Sequence, residues 1–281
     1  MISVPNGYIL IKTDTSIIVC KQSYEVHLLE QGIDRPDVLI RTADQIKNLH
    51  KGRADTPSLA IQGSPEERMI IRKYHRGGFF RFINRDLYWG TNRHFTELAV
   101  TVEAAEMGIP VPEILAAVSV RAAGPLYCGF LISKELTHAC DLPAYITTHA
   151  KSRETFQEDK KDLLKKTAET IRLMHDKGFY HGDLNMKNIL VDVDNPGNIY
   201  IIDWDKSRAK QRVTAAERST NLIRFCRSMA KFSCAGLPLT EADQLFVLTS
   251  YWSDPDRVET DLHALKRTLA LRKPLWRLLK R

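Results

Sequence analysis

The sequence that decides the fold is His181-Gly182-Asp183-Leu184-Asn185-Met186-Lys187-Asn188-Ile189-Leu190, and Ile199-Tyr200-Ile201-Ile202-Asp203-Trp204-Asp205 follows it closely. Asp183 lies in a predicted loop after a helix, where a carboxylate can orient a hydroxyl group or accept its proton. Asn188 can turn a carbonyl oxygen towards a metal, and Asp203 ends an apolar strand, which suits a hard Mg²⁺ ion. Because phosphoryl transfer needs mainly positioning and charge neutralisation, these groups predict a phosphotransfer site.

This pair of segments resembles the catalytic loop and the metal-binding motif of the protein-kinase superfamily. The resemblance implies ATP and Mg²⁺ as cofactors. It also implies an α+β, bilobal fold with a β-rich N-lobe and a mainly helical C-lobe. The alternative interpretation is a turn acid and a strand-end acid that only cap local structure. A two-part match across the intervening hairpin favours the kinase interpretation.

Hydrophobic patterns along the rest of the chain agree with two lobes. Residues 1–136 are predicted to form the N-lobe, which has short strands and one long helix, and residues 137–281 the helical C-lobe. The predicted strands of the first ninety residues are Tyr8–Lys12, Ile17–Cys20, Ser58–Gln62 and Met69–Tyr74. The N-lobe helix is indicated by the spacing of Phe95, Leu98, Ala99, Val102 and Ala105. The main C-lobe helix stops at Gly178 and is indicated by Leu164, Ala168, Ile171 and Met174.

Two further kinase elements are expected in the N-lobe, a strand lysine that contacts the nucleotide phosphates and a helix glutamate that holds it. Lys73 is the candidate lysine, and Arg72 is its one-residue rival because the sequence leaves the strand register open. Glu97 is the expected partner, since its neighbours supply a buried helix face. The alternative for both charges is a solvated position on the surface.

The nucleotide-binding residues have weaker signals. The chain lacks a full GxGxxG loop, and Gly52 precedes a predicted strand at the place where a phosphate-covering hairpin belongs. An ordinary turn is the alternative there. Glu135 ends the strand that should join the two lobes, so its backbone groups are expected to contact adenine.

Two departures from the motif of eukaryotic protein kinases narrow the class of acceptor. Gly182 stands where those enzymes carry the arginine that receives an activation-loop phosphate. Asn185 stands where serine/threonine kinases carry a lysine. Both changes indicate a small molecule or a glycan as the acceptor.

A closer resemblance is to the bacterial lipopolysaccharide core kinases, especially the Kdo kinase branch. It covers about residues 50–232 and is carried by Arg72–Gly78, Gly108–Pro112, Asp183–Leu190, Asp203–Lys206 and Asn221–Ser228. Trp204 stands where that branch usually has phenylalanine. The resemblance implies transfer of the ATP γ-phosphate to a hydroxyl of Kdo, the acidic sugar that links lipid A to the core. Asp183 would be the base, and Asn188 and Asp203 the magnesium ligands.

The same resemblance makes His75 and Arg76 candidate contacts of the anionic acceptor, because guanidinium groups suit carboxylates and phosphates. A solvated basic strand end is the alternative. Asp205 either contacts the metal ligands without binding the metal itself, or is a ligand of a further ion. His181 and His175 are interpreted as structural, since one precedes the loop and the other lies in its supporting helix.

Two other functions stay open. The first is a small-molecule kinase that resembles aminoglycoside or choline kinases, which also carry His-Gly-Asp-Leu. The second is a pseudokinase that serves as a binding module. The retention of Asp183, Asn188 and Asp203 argues against a pseudokinase. The basic strand around Arg72 and the basic tail argue against a freely soluble acceptor.

The net charge of +7 is concentrated at the C-terminus. Leu262–Arg281 contains seven basic residues and no acidic one, and the remainder has 34 basic and 34 acidic residues. The basic residues alternate with leucines, which predicts binding to an anionic membrane surface, where a lipid-linked glycan acceptor would lie. The alternative is a final helix packed on the C-lobe through Leu265, Leu269, Trp276 and Leu279. A charge confined to one tail argues against a nucleic-acid partner.

Composition favours the cytoplasmic side of a cell. The five cysteines are scattered without a CxxC pair, which predicts reduced thiols rather than a disulfide framework or a zinc site. The N-terminal residues lack the pattern of a signal peptide, and no apolar run is long enough to span a membrane. These features predict the cytoplasmic side, and the lipid-linked acceptor that the resemblance implies adds peripheral attachment at the cytoplasmic face of the bacterial inner membrane.

Overall fold

A computed structural model describes residues 2–49, 58–74, 88–89, 93–124, 126–150 and 156–278, without the side chains of 44–49, 88–89 and 271–278. Unit 1 comprises Met1–Ala105 and Pro112–Thr137, and unit 2 comprises Glu106–Val111 and His138–Arg281. Strands dominate unit 1 and helices dominate unit 2. The α+β fold class expected from the sequence is confirmed.

In the described part of unit 1, seven strands form one antiparallel sheet. They are β1 (Tyr8–Lys12), β2 (Ser16–Lys21), β3 (Ser58–Ile61), β4 (Ser64–Lys73), β5 (Tyr88–Trp89), β6 (Ile114–Ala123) and β7 (Leu126–Lys134). The order is β1-β2-β6-β7-β4-β3, and β5 pairs with β7. The four strands predicted in the first ninety residues are confirmed as β1 to β4.

Helices pack on both faces of this sheet. They are α1 (Glu25–Glu30), α2 (Pro36–Leu49) and α3 (Arg93–Glu106). Leu28 of α1 and Leu39 of α2 share one buried cluster with Ile132, whereas Phe95 of α3 shares another with Leu131. Because successive strand residues point to opposite faces, the two clusters lie on opposite sides of the sheet. The sequence patterns predict α3, and the structure adds α1 and α2.

Unit 2 is built from helices and short strands. Its helices are α4 (Leu142–His149), α5 (Phe156–Asp176), α6 (Ala215–Cys234), α7 (Glu241–Tyr251) and α8 (Pro255–Leu278). Its strands are β8 (Ala139–Asp141), β9 (Phe179–Tyr180), β10 (Ile189–Asp192), β11 (Ile199–Ile201) and β12 (Arg208–Ala209). The small sheets have the orders β11-β10-β8 and β12-β9, with antiparallel pairs. The predicted apolar face of α5 is buried, and the predicted β10–β11 hairpin is present.

The last helix, α8, packs its first half into unit 2. Leu265 and Leu269 are buried, whereas Lys266 and Arg267 between them are exposed. The core-packing alternative therefore holds for these two leucines, and the side chains of Trp276 and Leu279 lie outside the described residues. None of the helices in the described ranges is long and apolar enough to cross a membrane.

Candidate active site

Asp183 lies in the loop between β9 and the 3₁₀ turn Met186–Asn188. Its side chain is 65% exposed, so the carboxylate is accessible to a substrate. Its backbone N–H donates to Nδ1 of His181 at 3.1 Å. Nδ2 of Asn185 donates to the carbonyl oxygen of Asp183 at 3.0 Å and to its Oδ2 at 3.3 Å. These bonds hold the loop and orient the carboxylate, as a general base requires.

Asn188 connects this loop with the strand that leads to Asp203. Its Nδ2 donates to the carbonyl oxygen of Asp183 at 2.8 Å, and its own carbonyl oxygen accepts from the N–H of Ile202 at 3.0 Å. The side chain is buried. Because the amide nitrogen binds a carbonyl oxygen, the amide oxygen is the atom that can serve a cation.

Asp203 lies two residues after Ile201, the last residue of β11. Its φ of +62° lies in the left-handed region, which aspartate enters more readily than most other residues. This backbone turns the chain sharply at the end of the strand, and such conformations are frequent at functional sites. The residue before Asp203, Ile202, is hydrogen-bonded to the backbone of Asn188, so this bond ties the strand end at Asp203 to the loop.

The donor atoms of Asn188 and Asp203 fit Mg²⁺. They are one amide oxygen and one carboxylate, and Mg²⁺ commonly takes one or two carboxylates and completes its shell with water and phosphate oxygens. Within the described ranges, no group of three or more His, Cys, Asp or Glu side chains could hold a metal.

Two buried histidines support the loop through Asn221 of α6. Oδ1 of Asn221 accepts from the N–H of His181 at 3.2 Å and from Nε2 of His175 at 3.0 Å, and its Nδ2 donates to the carbonyl oxygen of His181 at 2.9 Å. Nε2 of His181 donates to the carbonyl oxygen of Ile202 at 3.1 Å. Burial lowers the pKa of each histidine to about 4, so both are neutral at pH 7. This arrangement agrees with the structural interpretation of both residues.

The low pKa values of these buried histidines predict that the folded protein loses stability in acid. Burial also lowers the pKa of His94 to about 4. The unfolded chain takes up protons as pH falls below about 6.5, whereas the folded chain does so only near pH 4. Each neutral histidine therefore makes its full contribution to the free energy of unfolding above about pH 6.5. As the pH falls towards 4, this free energy decreases by roughly 3 kcal/mol for each histidine. Urea unfolding between pH 7.5 and 5 measures this slope.

A variant of His94 tests the assignment. The ring of His94 contacts that of Phe95 at a tilt of 47°, so His94→Phe should keep an aromatic contact and reduce the proton uptake on unfolding by one. His138→Gln is the matched control, because it replaces an exposed histidine. An identical slope in the wild type and in both variants would contradict the assignment.

Gly182 packs its backbone against the turn that follows Asp203. A Cβ atom at Gly182 would lie 2.6 Å from the carbonyl oxygen of Asp205 and 2.8 Å from backbone and side-chain carbons of Lys206. The N–H of Gly182 donates to Oγ of Ser207 at 3.1 Å. An arginine does not fit at this position, so the departure seen in the sequence has a packing reason.

In unit 1, the buried Glu97 of α3 pairs with Arg72. Arg72 forms an ion pair with one carboxylate oxygen of Glu97, and the hydroxyl group of Tyr74 donates to the other. Nη2 of Arg72 also donates to the Tyr74 hydroxyl oxygen at 3.1 Å. The three side chains are thus hydrogen-bonded to one another in a ring.

Lys73 lies on the opposite face of β4. Its Nζ is 3.0 Å from Oδ1 of Asp37 in α2 and 5.6 Å from the ring centre of Phe130. The expected pairing of Lys73 with Glu97 is thus replaced by a pairing of Arg72 with Glu97. The physical reason is strand alternation, which places Arg72 on the α3 face and Lys73 on the α2 face.

The other predicted nucleotide and acceptor contacts are only partly described. The N–H of Glu135 donates to the carbonyl oxygen of Arg68 at 2.7 Å, and its side chain forms a 3.0 Å ion pair with Nε of Arg68. A contact of Glu135 with adenine would therefore use its carbonyl group. Gly52, His75 and Arg76 lie outside the described residues.

Helix α6 contributes residues that the sequence analysis did not assign to the site. Asn221, Arg224 and Ser228 follow helical spacing and share one face. Nη1 of Arg224 donates to the carbonyl oxygen of Gly182, and Oγ of Ser228 accepts from the N–H of Met186 at 3.3 Å. The segment Asn221–Ser228 carries part of the family resemblance, and this resemblance was the sequence feature that could have indicated a role of α6 in the site.

Comparisons with known proteins show the family of the chain. The model of the lipopolysaccharide kinase (Kdo/WaaP) family matches residues 43–251. A 3-deoxy-D-manno-octulosonic acid kinase of Vibrio vulnificus is 34% identical over 171 residues, which are 59% of this chain and 67% of that protein. One from Actinobacillus succinogenes is 32% identical over 217 residues, which are 75% of this chain and 86% of that protein.

Among solved structures, "WaaP in complex with acyl carrier protein" has a TM-score of 0.53 and 18% sequence identity, and the match covers 83% of this chain and 88% of that chain. This likeness supports an α+β fold of the protein-kinase type. The family model spans most of the sequence and includes the loop, the strand end and α6. The chain belongs to the lipopolysaccharide kinase (Kdo/WaaP) family.

Proposed function

We propose that the chain transfers the γ-phosphate of ATP to a hydroxyl of 3-deoxy-D-manno-octulosonic acid (Kdo) in the inner core of lipopolysaccharide. Membership of a kinase family makes it an ATP-using phosphotransferase with an alcohol group as acceptor. Relatives named as kinases of this sugar acid support the choice of acceptor. The observation that carries the proposal is the hydrogen-bonded connection of Asp183, Asn188 and the strand end at Asp203.

In the proposed reaction, Asp183 accepts the proton of the acceptor hydroxyl while the hydroxyl oxygen attacks the γ-phosphorus. The new P–O bond forms as the bond from the γ-phosphorus to the β,γ-bridging oxygen breaks, and ADP leaves with that oxygen. Asn185 holds the carboxylate that receives the proton. Asn188 and Asp203 hold Mg²⁺, which, when bound, neutralises charge on the phosphate oxygens.

The first test is a panel of acceptors. The purified chain is incubated with γ-labelled ATP, Mg²⁺ and, separately, Kdo-lipid A, heptosylated core and an aminoglycoside. Label should enter Kdo-lipid A most efficiently. Preferential labelling of the aminoglycoside would favour a small-molecule kinase, and labelling of none of them would contradict the proposal.

We propose that Arg72 takes the place of the strand lysine that contacts the nucleotide phosphates. Arg72→Ala should raise the KM for ATP by about tenfold or more, because it removes a charged contact. Lys73→Ala removes a cation one residue away and is the matched control, with a smaller expected effect. Steady-state kinetics at saturating acceptor measures both. If Lys73→Ala raised the KM for ATP more than Arg72→Ala, Lys73 would be the residue that contacts the nucleotide phosphates.

We propose that the basic tail after Ala270 attaches the enzyme to the anionic cytoplasmic face of the inner membrane. Truncation before Lys273 removes Lys273, Arg277, Lys280 and Arg281. At about 1 kcal/mol for each basic residue, the affinity for anionic vesicles should fall by roughly 10³-fold. Sedimentation with anionic and with neutral vesicles at low salt measures this loss. A full-length chain that stays in the supernatant with both vesicle types would contradict the attachment.

A further inference from the structure

Arg224 of α6 lies beside the proposed catalytic base. Its Nη1 donates to the carbonyl oxygen of Gly182 and lies 4.0 Å from Oδ1 of Asp183. The Arg224 side chain is 28% exposed, so it is anchored at the loop while part of it faces solvent. This position gives the site a fixed cation next to the carboxylate that meets the acceptor hydroxyl.

Most N–H donors of the Arg224 guanidinium group have no hydrogen-bond partner among the described residues. An arginine side chain carries five N–H donors in a planar fork. As far as the described residues go, the hydrogen bond and the ion pair of Arg224 both use Nη1. The neighbours on the same helix face, Asn221 and Ser228, bind backbone groups of the loop instead. Of these three side chains, only Arg224 combines a positive charge with donors left for a ligand.

We propose that Arg224 binds the carboxylate of the acceptor sugar acid and thereby places its hydroxyl at Asp183. This inference rests on the proposed function, since an octulosonic acid carries a carboxylate on the same ring as its hydroxyl groups. A planar fork matches a carboxylate with two parallel hydrogen bonds, which fixes orientation as well as adding affinity. Binding at this point also offsets the repulsion between the acceptor carboxylate and the negative charge of Asp183, because the cation lies next to both.

The test is a cycle of two enzymes and two acceptors. Wild type and Arg224→Gln are each given Kdo-lipid A and the same acceptor with its Kdo carboxylate converted to a neutral carboxamide. Wild type should lose about tenfold or more in kcat/KM on the neutral acceptor. Arg224→Gln should already be slow on the acid and should lose less than about threefold further when the carboxylate is neutralised.

Two other variants keep the test decisive. Arg224→Lys keeps the charge without the fork, so it should retain part of the preference for the acid even if Arg224→Gln folds poorly. Arg212→Gln makes the same charge change at an exposed arginine and should keep the full wild-type preference. Equal preference for the acid in wild type, Arg224→Gln and Arg224→Lys would overturn the inference and leave Arg224 as a positioning residue of the loop. Wild type that phosphorylates neither acceptor would overturn the proposed function itself.

Discussion

Asp183→Asn and Asp203→Asn should each lower phosphoryl transfer to Kdo-lipid A by about 10³-fold or more while the protein stays folded. Asparagine keeps the size of aspartate, and it also tolerates the positive φ at position 203. It removes the carboxylate proposed as the proton acceptor at position 183, and general bases contribute roughly 10²- to 10⁴-fold. At position 203 it removes the carboxylate proposed as the charged metal ligand, on which charge neutralisation at the phosphates would depend.

The dependence on Mg²⁺ separates the two roles. Asp203→Asn should need a higher Mg²⁺ concentration for half-maximal rate, whereas Asp183→Asn should keep the wild-type requirement and lose rate at every concentration. Asp194→Asn is the matched control, because Asp194 is exposed in a turn and pairs with His138. If Asp203→Asn retained near-wild-type turnover in a folded protein, the metal assignment would be wrong.

The local part of the site could be predicted because its residues are close in sequence. Asp183 and Asn188 are five residues apart, and a loop with a 3₁₀ turn brings them into direct contact. The hairpin of β10 and β11 then returns the chain to Asp203. Spacing alone was enough to place these three residues on one loop and one strand end.

The partner of Glu97 could not be predicted in the same way. Strand β4 is covered on both faces, so Ile70 and Ile71 are both apolar and the alternation that would reveal the register is missing. Arg72 and Lys73 are both cations, and either could face α3. Helix α2, by contrast, had a usable signal, because Pro36 at its first position is followed by Leu39 and Ala43 at helical spacing.

The contribution of α6 was hidden for a different reason. Asn221 lies 40 residues after His181, and contacts at such a separation depend on the tertiary fold rather than on a local pattern. A polar residue on a helix is usually solvated, so the burial of Asn221 could not be predicted from the sequence pattern. The structure shows it fully buried, with partners for both ends of its amide group.

Asn221→Ala should therefore have the largest effect on stability of any single substitution near the loop. It leaves Nε2–H of His175 and both backbone groups of His181 without their partner in a buried environment. Each lost partner costs about 1–3 kcal/mol, so unfolding should become easier by roughly 3–5 kcal/mol. For a chain of this size the midpoint of thermal unfolding should fall by about 10 °C, which circular dichroism measures.

Asn195→Ala is the matched control, because Asn195 lies exposed in the β10–β11 turn and its loss should change the free energy of unfolding by less than about 1 kcal/mol. Below its melting temperature, Asn221→Ala should also transfer phosphate more slowly, since the backbone of His181 is no longer held beside Asp183. Equal stability of the two variants would mean that Asn221 does not hold the loop. In that case the bonds of His181 to Ile202 and Asp183, and of His175 to the hydroxyl group of Tyr251, would be enough to hold the two histidines.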